Sequence, residues 1–153
     1  MFKKMFAVGI LGTAIALTGC ESTPNAASHI QAANLLQLQN RSWIATHIGN
    51  TAIQTTPAAQ NSPSLQFDAA SKRVSGRDGC NRIMGSYEAG RDTLVLGQMA
   101  GTKMACLDSN NLSQQFNEAL TKVTNYQVFG KTLKLLDRHG NMVLQFTAPV
   151  QPR

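Results

Sequence analysis

Three cysteines and three histidines are the residues of this 153-residue chain best suited to nucleophilic, redox or metal chemistry, and their spacing leaves little of it open. His29, His47 and His139 stand far apart, and none has a second His or a Cys at metal-ligand spacing, so no metal site is expected. Cys20, Cys80 and Cys106 form no Cys-x-x-Cys pair, which argues against a thioredoxin-like redox centre. A Cys–His nucleophile would need the fold to bring His47 to Cys80 or Cys106. The chain carries no Gly-x-Ser-x-Gly elbow and no phosphate-cradling glycine loop. Asp68, Asp78, Asp92 and Asp137 all fall in turn-like stretches, where Asp bonds its own neighbouring backbone. The expectation is therefore no catalytic residue and no cofactor.

The surroundings of Cys20 are more informative. Lys3 and Lys4 precede an apolar run from Met5 to Leu17, interrupted only by Thr13. The run is shorter than the ~20 residues that span a bilayer, so it predicts a secretory signal covering residues 1–19. Leu17-Thr18-Gly19-Cys20 is similar to the lipobox of bacterial lipoproteins. That likeness implies a palmitate-type lipid anchor on the Cys20 sulfur, with cleavage just before it; the alternative is an ordinary signal with a chance cysteine. Glu21 follows where Asp is linked with inner-membrane retention, so the expected location is the outer membrane, facing the periplasm.

With Cys20 assigned to the anchor, Cys80 and Cys106 remain as an even pair in an exported domain. An oxidising compartment predicts a disulfide, worth about 3–4 kcal/mol in the chain-entropy model; two reduced buried thiols are the alternative. The formal net charge of +6 loses the two signal lysines, and Lys72-Arg73 is the only adjacent basic pair outside that segment. Such scattered charge excludes nucleic acid as a partner. The partners left are the membrane through Cys20 and an envelope protein or small ligand.

The elements that must position these residues read as strands around one helix. Residues 20–37 predict the lipidated cysteine and a flexible tether, in which Ser28 could cap a short helix running to about Leu36. The domain is expected over 38–148, with a tail at 149–153. Strands are predicted around Trp43, at Leu65–Phe67, Lys72–Ser75, Ser86–Glu88, Thr93–Leu96, Tyr126–Phe129, Thr132–Leu136 and Met142–Phe146. Gly90 is expected to supply a positive φ to the turn at 89–92. Asp108 or Ser109 would start the main helix, whose apolar face is Leu112, Phe116, Ala119, Leu120 and Val123. This order predicts a mainly β (α+β) fold, a curved antiparallel sheet or small barrel with one main helix packed against it.

Four stretches carry a more specific likeness: the Trp43 strand; Ser75-Gly76-Arg77-Asp78-Gly79-Cys80-Asn81-Arg82 followed by Gly85-Ser86-Tyr87; Thr102-Lys103-Met104-Ala105-Cys106; and Phe116 with Leu120 ahead of Tyr126 and Leu133. Together, over about residues 38–147, they resemble the META domain family, whose bacterial members include HslJ-like heat-shock lipoproteins. Gly101 stands where a Ser is more usual. The resemblance implies a mostly β fold with a helix and an envelope location. It further implies a part in stress response or antibiotic tolerance and no known catalytic chemistry.

Read physically, Gly76 and Gly79 would let the chain bend and turn Cys80 inward. Asn81 and Arg82 are either a recognition spot beside the cysteine bridge or a hydrogen-bonding lock between two loops, the second being preferred. Met104 is expected to pack in the core, as is the sole tryptophan, Trp43. The resulting functional expectation is a non-enzymatic, lipid-anchored envelope protein acting through interactions. The alternative is a periplasmic binding module for a small lipophilic or anionic ligand, with Arg82 holding its charge.

Overall fold

The computed structural model describes residues 33–54, 62–106 and 111–149. A helix, α1, covers residues 33–38. It is followed by β1 (Ser42–Ile48), β2 (Thr51–Ala52), β3 (Ser64–Asp68), β4 (Arg73–Arg77), β5 (Arg82–Ala89), β6 (Leu94–Leu96) and β7 (Ala100–Gly101). The main helix α2 (Leu112–Thr121) then leads to β8 (Asn125–Phe129), β9 (Thr132–Leu136) and β10 (Met142–Thr147). The main path of the sheet runs β6-β5-β4-β3-β1-β10-β9-β8, with β2 on β1 and β7 on β5. Every pair is antiparallel, as short connections require. The fold is thus the expected one, mostly β with α2 packed against a nearly closed barrel.

Closure is partial. Leu94 N–H donates to Thr124 O at 2.9 Å and Tyr126 N–H to Asp92 O at 2.8 Å, stitching β6 to β8 around a Thr93–Asn125 bridge. The ladder stops there, because Thr124 N–H turns to Leu136 O at 2.9 Å instead of returning to β6. Beyond that point the seam is open.

Strand alternation decides what fills the barrel. Trp43 and Ala45 of β1, Leu65 and Phe67 of β3, Leu133 and Leu135 of β9, and Leu144 and Phe146 of β10 are all buried. Phe67 meets Tyr87 edge-on with centroids 5.1 Å apart, and Phe116 of α2 meets Phe146 at 6.1 Å. On α2 the buried residues are Phe116, Ala119 and Leu120, with Val123 just beyond, so the apolar stripe read from the sequence is the face that packs. Asn111, before α2, has φ 51° and makes no side-chain cap. The expected starts at Asp108 or Ser109, and Ser28 before α1, lie outside the described residues.

The two helices cover opposite ends. α2 touches β1 and β10 near Ile48 and Met142. α1 lies at the other end: Trp43 Nε1–H donates to Leu38 O at 2.9 Å, and Gln39 Nε2–H donates to the Tyr87 hydroxyl at 2.8 Å. The turn at 89–92 departs from expectation. Gly90 has no positive φ; a side chain there would run into Thr93 Oγ1, so the requirement is space.

Tyr87 and Tyr126, the two tyrosines, are both buried beneath that end. Tyr126 donates to Gly90 O at 2.9 Å and Tyr87 to Asp68 O at 3.0 Å. Burial, aided by the charge of Asp92 and then by Tyr87, pushes Tyr126 up to about 12. Burial also raises Tyr87, against the lowering effect of the Gln39 bond. The native state therefore holds these protons more tightly than the unfolded chain, and stability should be full below pH 10 and fall as pH rises from 10 toward 12. In a phenolate absorbance titration the folded protein should show no ionisation until pH passes 10, with Tyr126 reaching its midpoint near 12. Two midpoints at the free-tyrosine value would contradict the burial.

Candidate functional site

The Gly-Cys-Asn-Arg loop is built around Asp78. β4 approaches it through Gly76, which lies opposite Leu65 inside the ladder; any Cβ there would strike the Ser64 carbonyl. Gly76 thus serves close strand approach, and the bend itself belongs to Gly79, whose φ is 104°. Asp78 N–H donates to Asn81 O at 3.0 Å, and Asp78 Oδ1 accepts Cys80 N–H at 2.9 Å and Asn81 N–H at 2.6 Å. Its other oxygen, Oδ2, accepts Asn117 Nδ2–H from α2 at 2.7 Å. Only 2 % of Asp78 is exposed, so these three donors replace the water that the carboxylate has lost.

Asn81 extends the junction. Its Oδ1 accepts Met104 N–H at 2.6 Å and the Thr102 hydroxyl at 3.2 Å. Thr102 Oγ1 in turn accepts Arg82 N–H at 3.2 Å, and Thr102 N–H donates to Arg82 O at 3.0 Å. A Cys80–Cys106 disulfide, with Cα atoms 5.8 Å apart, ties the same two segments covalently across 26 residues of sequence. Asp78, Asn81 and the disulfide therefore fasten the β4–β5 loop, residues 102–106 and α2 to one another.

Of the residues singled out in the sequence, Cys80, Cys106, Asn81 and the Arg82 backbone meet at this junction; Cys20 lies outside the described residues. The Arg82 side chain is exposed and makes no hydrogen bond among the described residues. Met104, expected in the core, is 63 % exposed, because residues 102–106 are held by backbone bonds outside any strand. Met99 takes the packing role, partly buried against the core. His47 Nδ1 lies 3.0 Å from Thr46 Oγ1 and 3.4 Å from Gln145 Nε2, while both candidate nucleophilic sulfurs are in the disulfide. Asp68 and Asp137 are turn acceptors. The Ser71 hydroxyl and N–H hold Asp68 below its ordinary value, and the Asn141 N–H and side chain do the same for Asp137. Sequence reasoning missed the Asp78–Asn117 bond, since Asn117 sits on the polar face of a helix and nothing local marks it.

Beside the junction the open seam forms a groove of about 590 Å³. Its apolar lining is Ile83 of β5, Leu96, Met99, and Leu120 and Val123 from the end of α2. Asp78, Asn81 and Asn117 stand at its polar end, and Lys103 is the cation that lines it; Arg82 does not. Alternation along β6 adds backbone groups. Leu94 N–H reaches across to Thr124, so Leu96, two residues on, turns its N–H and C=O toward the groove rather than toward β5. An apolar floor with a few fixed polar groups suits binding of a ligand with an apolar body.

A family model for the META domain matches residues 36–150. An NMR structure of a protein from Burkholderia xenovorans is similar at 22 % identity and TM-score 0.58, covering 95 % of this chain and 100 % of that one. A second NMR structure matches at 22 % identity and TM-score 0.56, covering 73 % and 92 %. A crystal structure of a DUF4847 family protein from Bacteroides vulgatus matches at 18 % identity and TM-score 0.53, covering 77 % and 99 %. At these identities the likeness is one of fold. No curated protein matches the chain.

The Asp78 network makes a graded prediction. Asp78→Ala leaves two backbone N–H groups and Asn117 without their acceptor and should cost about 3 kcal/mol or more in chemical denaturation. Asp78→Asn keeps one acceptor oxygen for the loop and should cost only about 1 kcal/mol. Equal losses for the two variants would mean that the carboxylate is not the hub.

Proposed function

This chain belongs to the META domain family, and on that premise we propose that it is a non-enzymatic, HslJ-like lipoprotein, anchored through Cys20, that works by binding at the open seam of its barrel. The observation that carries the binding role is the 590 Å³ groove between β6–β7 and α2, apolar along its floor and flanked by Lys103. Its dimensions and lining favour a small lipophilic ligand with an anionic end. Lys103 takes the charge-holding role that the sequence suggested for Arg82.

A non-catalytic role draws support from how the reactive groups are used. Both described cysteines are in the disulfide, and the Asp78 carboxylate spends both oxygens on structural donors. The envelope location draws support from the Leu17-Thr18-Gly19-Cys20 ending and from the disulfide, which fits an oxidising compartment. An outer-membrane position facing the periplasm follows from Glu21. Stress response or antibiotic tolerance would then be exercised by sequestering or sensing a ligand at the groove.

Two measurements test this reading. Radiolabelled palmitate should enter the wild-type protein and not Cys20→Ser; equal labelling would remove the anchor. The apolar anion anilinonaphthalene sulfonate, used as a probe on the mature protein, should bind at one saturable site. Thr121→Trp, which fills the groove from α2, should abolish that site, and Lys103→Glu should weaken it about ten-fold, the loss of one well-placed charge interaction. Binding that neither variant alters would place the site elsewhere and defeat the groove.

A further inference from the structure

The end of the barrel covered by α1 differs in character from the groove end. Three hairpin turns meet there: β3–β4 with Lys72 and Arg73, β5–β6 with Arg91, and β8–β9 with Phe129 and Lys131. Arg41 stands beside them at the approach to β1. Two bonds hold α1 and its exit to these turns: Asn34 Nδ2–H to Arg91 O at 2.8 Å, and Arg41 Nη1–H to Gly130 O at 3.2 Å. Leu36 of α1 and Phe129 are 73 % and 68 % exposed, the most exposed of the large apolar side chains among the described residues. They share this end with five cations against Asp68, Glu88 and Asp92; of the five, Arg41 lies over the Trp43 ring at 5.5 Å, and Arg73 Nη2–H reaches Met84 Sδ at 3.6 Å, along the sheet and away from the turns. None of the five is in an ion pair among the described residues, whereas Asp68 is committed to Ser71.

We propose that this end is a membrane-docking face: Leu36 and Phe129 enter the surface of an anionic phospholipid bilayer while Arg41, Lys72, Arg91 and Lys131 lie against its headgroups. Exposed apolar side chains ringed by cations are the arrangement that an interfacial site requires, since apolar burial and attraction to anionic lipid add. The chain's own anchor supplies the bilayer. Twelve residues, 21–32, lie between Cys20 and the first described residue of α1, and a chain of that length spans at most about 40 Å. They join the domain at this end, so α1 is the first part of the domain to meet the surface. The proposal rests on the anchoring reading for that proximity. It adds that the domain is held against the bilayer with the groove and the disulfide junction turned away, toward the periplasm.

Quenching by bromolipids tests the orientation. Trp43, the only tryptophan, is fully buried and serves as an internal reference. Full-length lipidated protein carrying Phe129→Trp or Leu36→Trp is reconstituted into phosphatidylglycerol vesicles with brominated acyl chains, beside Met104→Trp at the opposite end. Phe129→Trp and Leu36→Trp emission should be quenched, and wild type and Met104→Trp should not. Combining Phe129→Trp with Arg41→Glu, Arg91→Glu and Lys131→Glu should relieve its quenching while the protein stays anchored. Equal quenching at positions 129 and 104, or none at either, overturns the docking face. The mass of the mature chain reports lipidation separately. If Cys20 proves unmodified, the anchoring reading fails, and the same variants mixed with the vesicles still decide whether this face binds lipid.

Discussion

The buried carboxylate of Asp78 is the interaction on which the rest of this structure depends. A carboxylate removed from water costs several kcal/mol unless charge-assisted hydrogen bonds replace its solvation, and here three N–H donors do so. Two come from its own loop and shape it; the third comes from α2, more than thirty residues along the chain. The bond to Asn117 ties the helix to the β4–β5 loop at the polar end of the groove, where Asp78 and Asn117 both line it. Asn81 repeats the device at shorter range by holding Thr102 and Met104 with one carbonyl oxygen.

The disulfide acts on the same junction by a different route. It limits the freedom of the unfolded chain, while the hydrogen bonds select one geometry in the folded one. Together they allow residues 102–106 to run without strand partners and still keep a defined position. The seam itself opens where Thr124 N–H leaves β6 for Leu136 O, and residues 102–106 border the groove beside it. Because β6 and β8 meet antiparallel at Thr93 and Asn125, the chain beyond Leu94 faces the end of α2 and not a strand, and the groove occupies that place.

Antiparallel order also separates two environments. Every second connection lies at the α1 end, where the turns carry cations and exposed Leu36 and Phe129; the alternate connections lie near α2, with the junction and groove. The tyrosines sit between them and the core, spending their hydroxyls on turn carbonyls so that rings can be buried at no polar cost. An end with exposed apolar and cationic side chains and an end with an open groove, on one small barrel, follow from this division.

Much of this was legible from residue order. The β3–β4 and β5–β6 hairpins, those from β8 to β10, and the buried face of α2 are local: alternation, turn residues and i, i+4 spacing encode them without reference to distant chain, whereas the Arg82–Gly85 half of β5 that pairs with β4 was not read. The pairing potential of Cys80 with Cys106 was readable from the even count left once Cys20 is set aside. Gly76 and Met104 were misread because each answers to a neighbour remote in sequence, the Ser64 carbonyl and the Asn81 side chain; Gly90 was misread because its turn requires space beside the Thr93 hydroxyl and not a positive φ. The sequence by itself determined the elements, their order and the residues able to bond. Only the tertiary structure decided that the ladder ends at Leu94 and Thr124, that Asp78 finds Asn117, and that Lys103 rather than Arg82 borders the groove. Those outcomes depend on competition among partners far apart in the chain, and no local pattern records which partner wins.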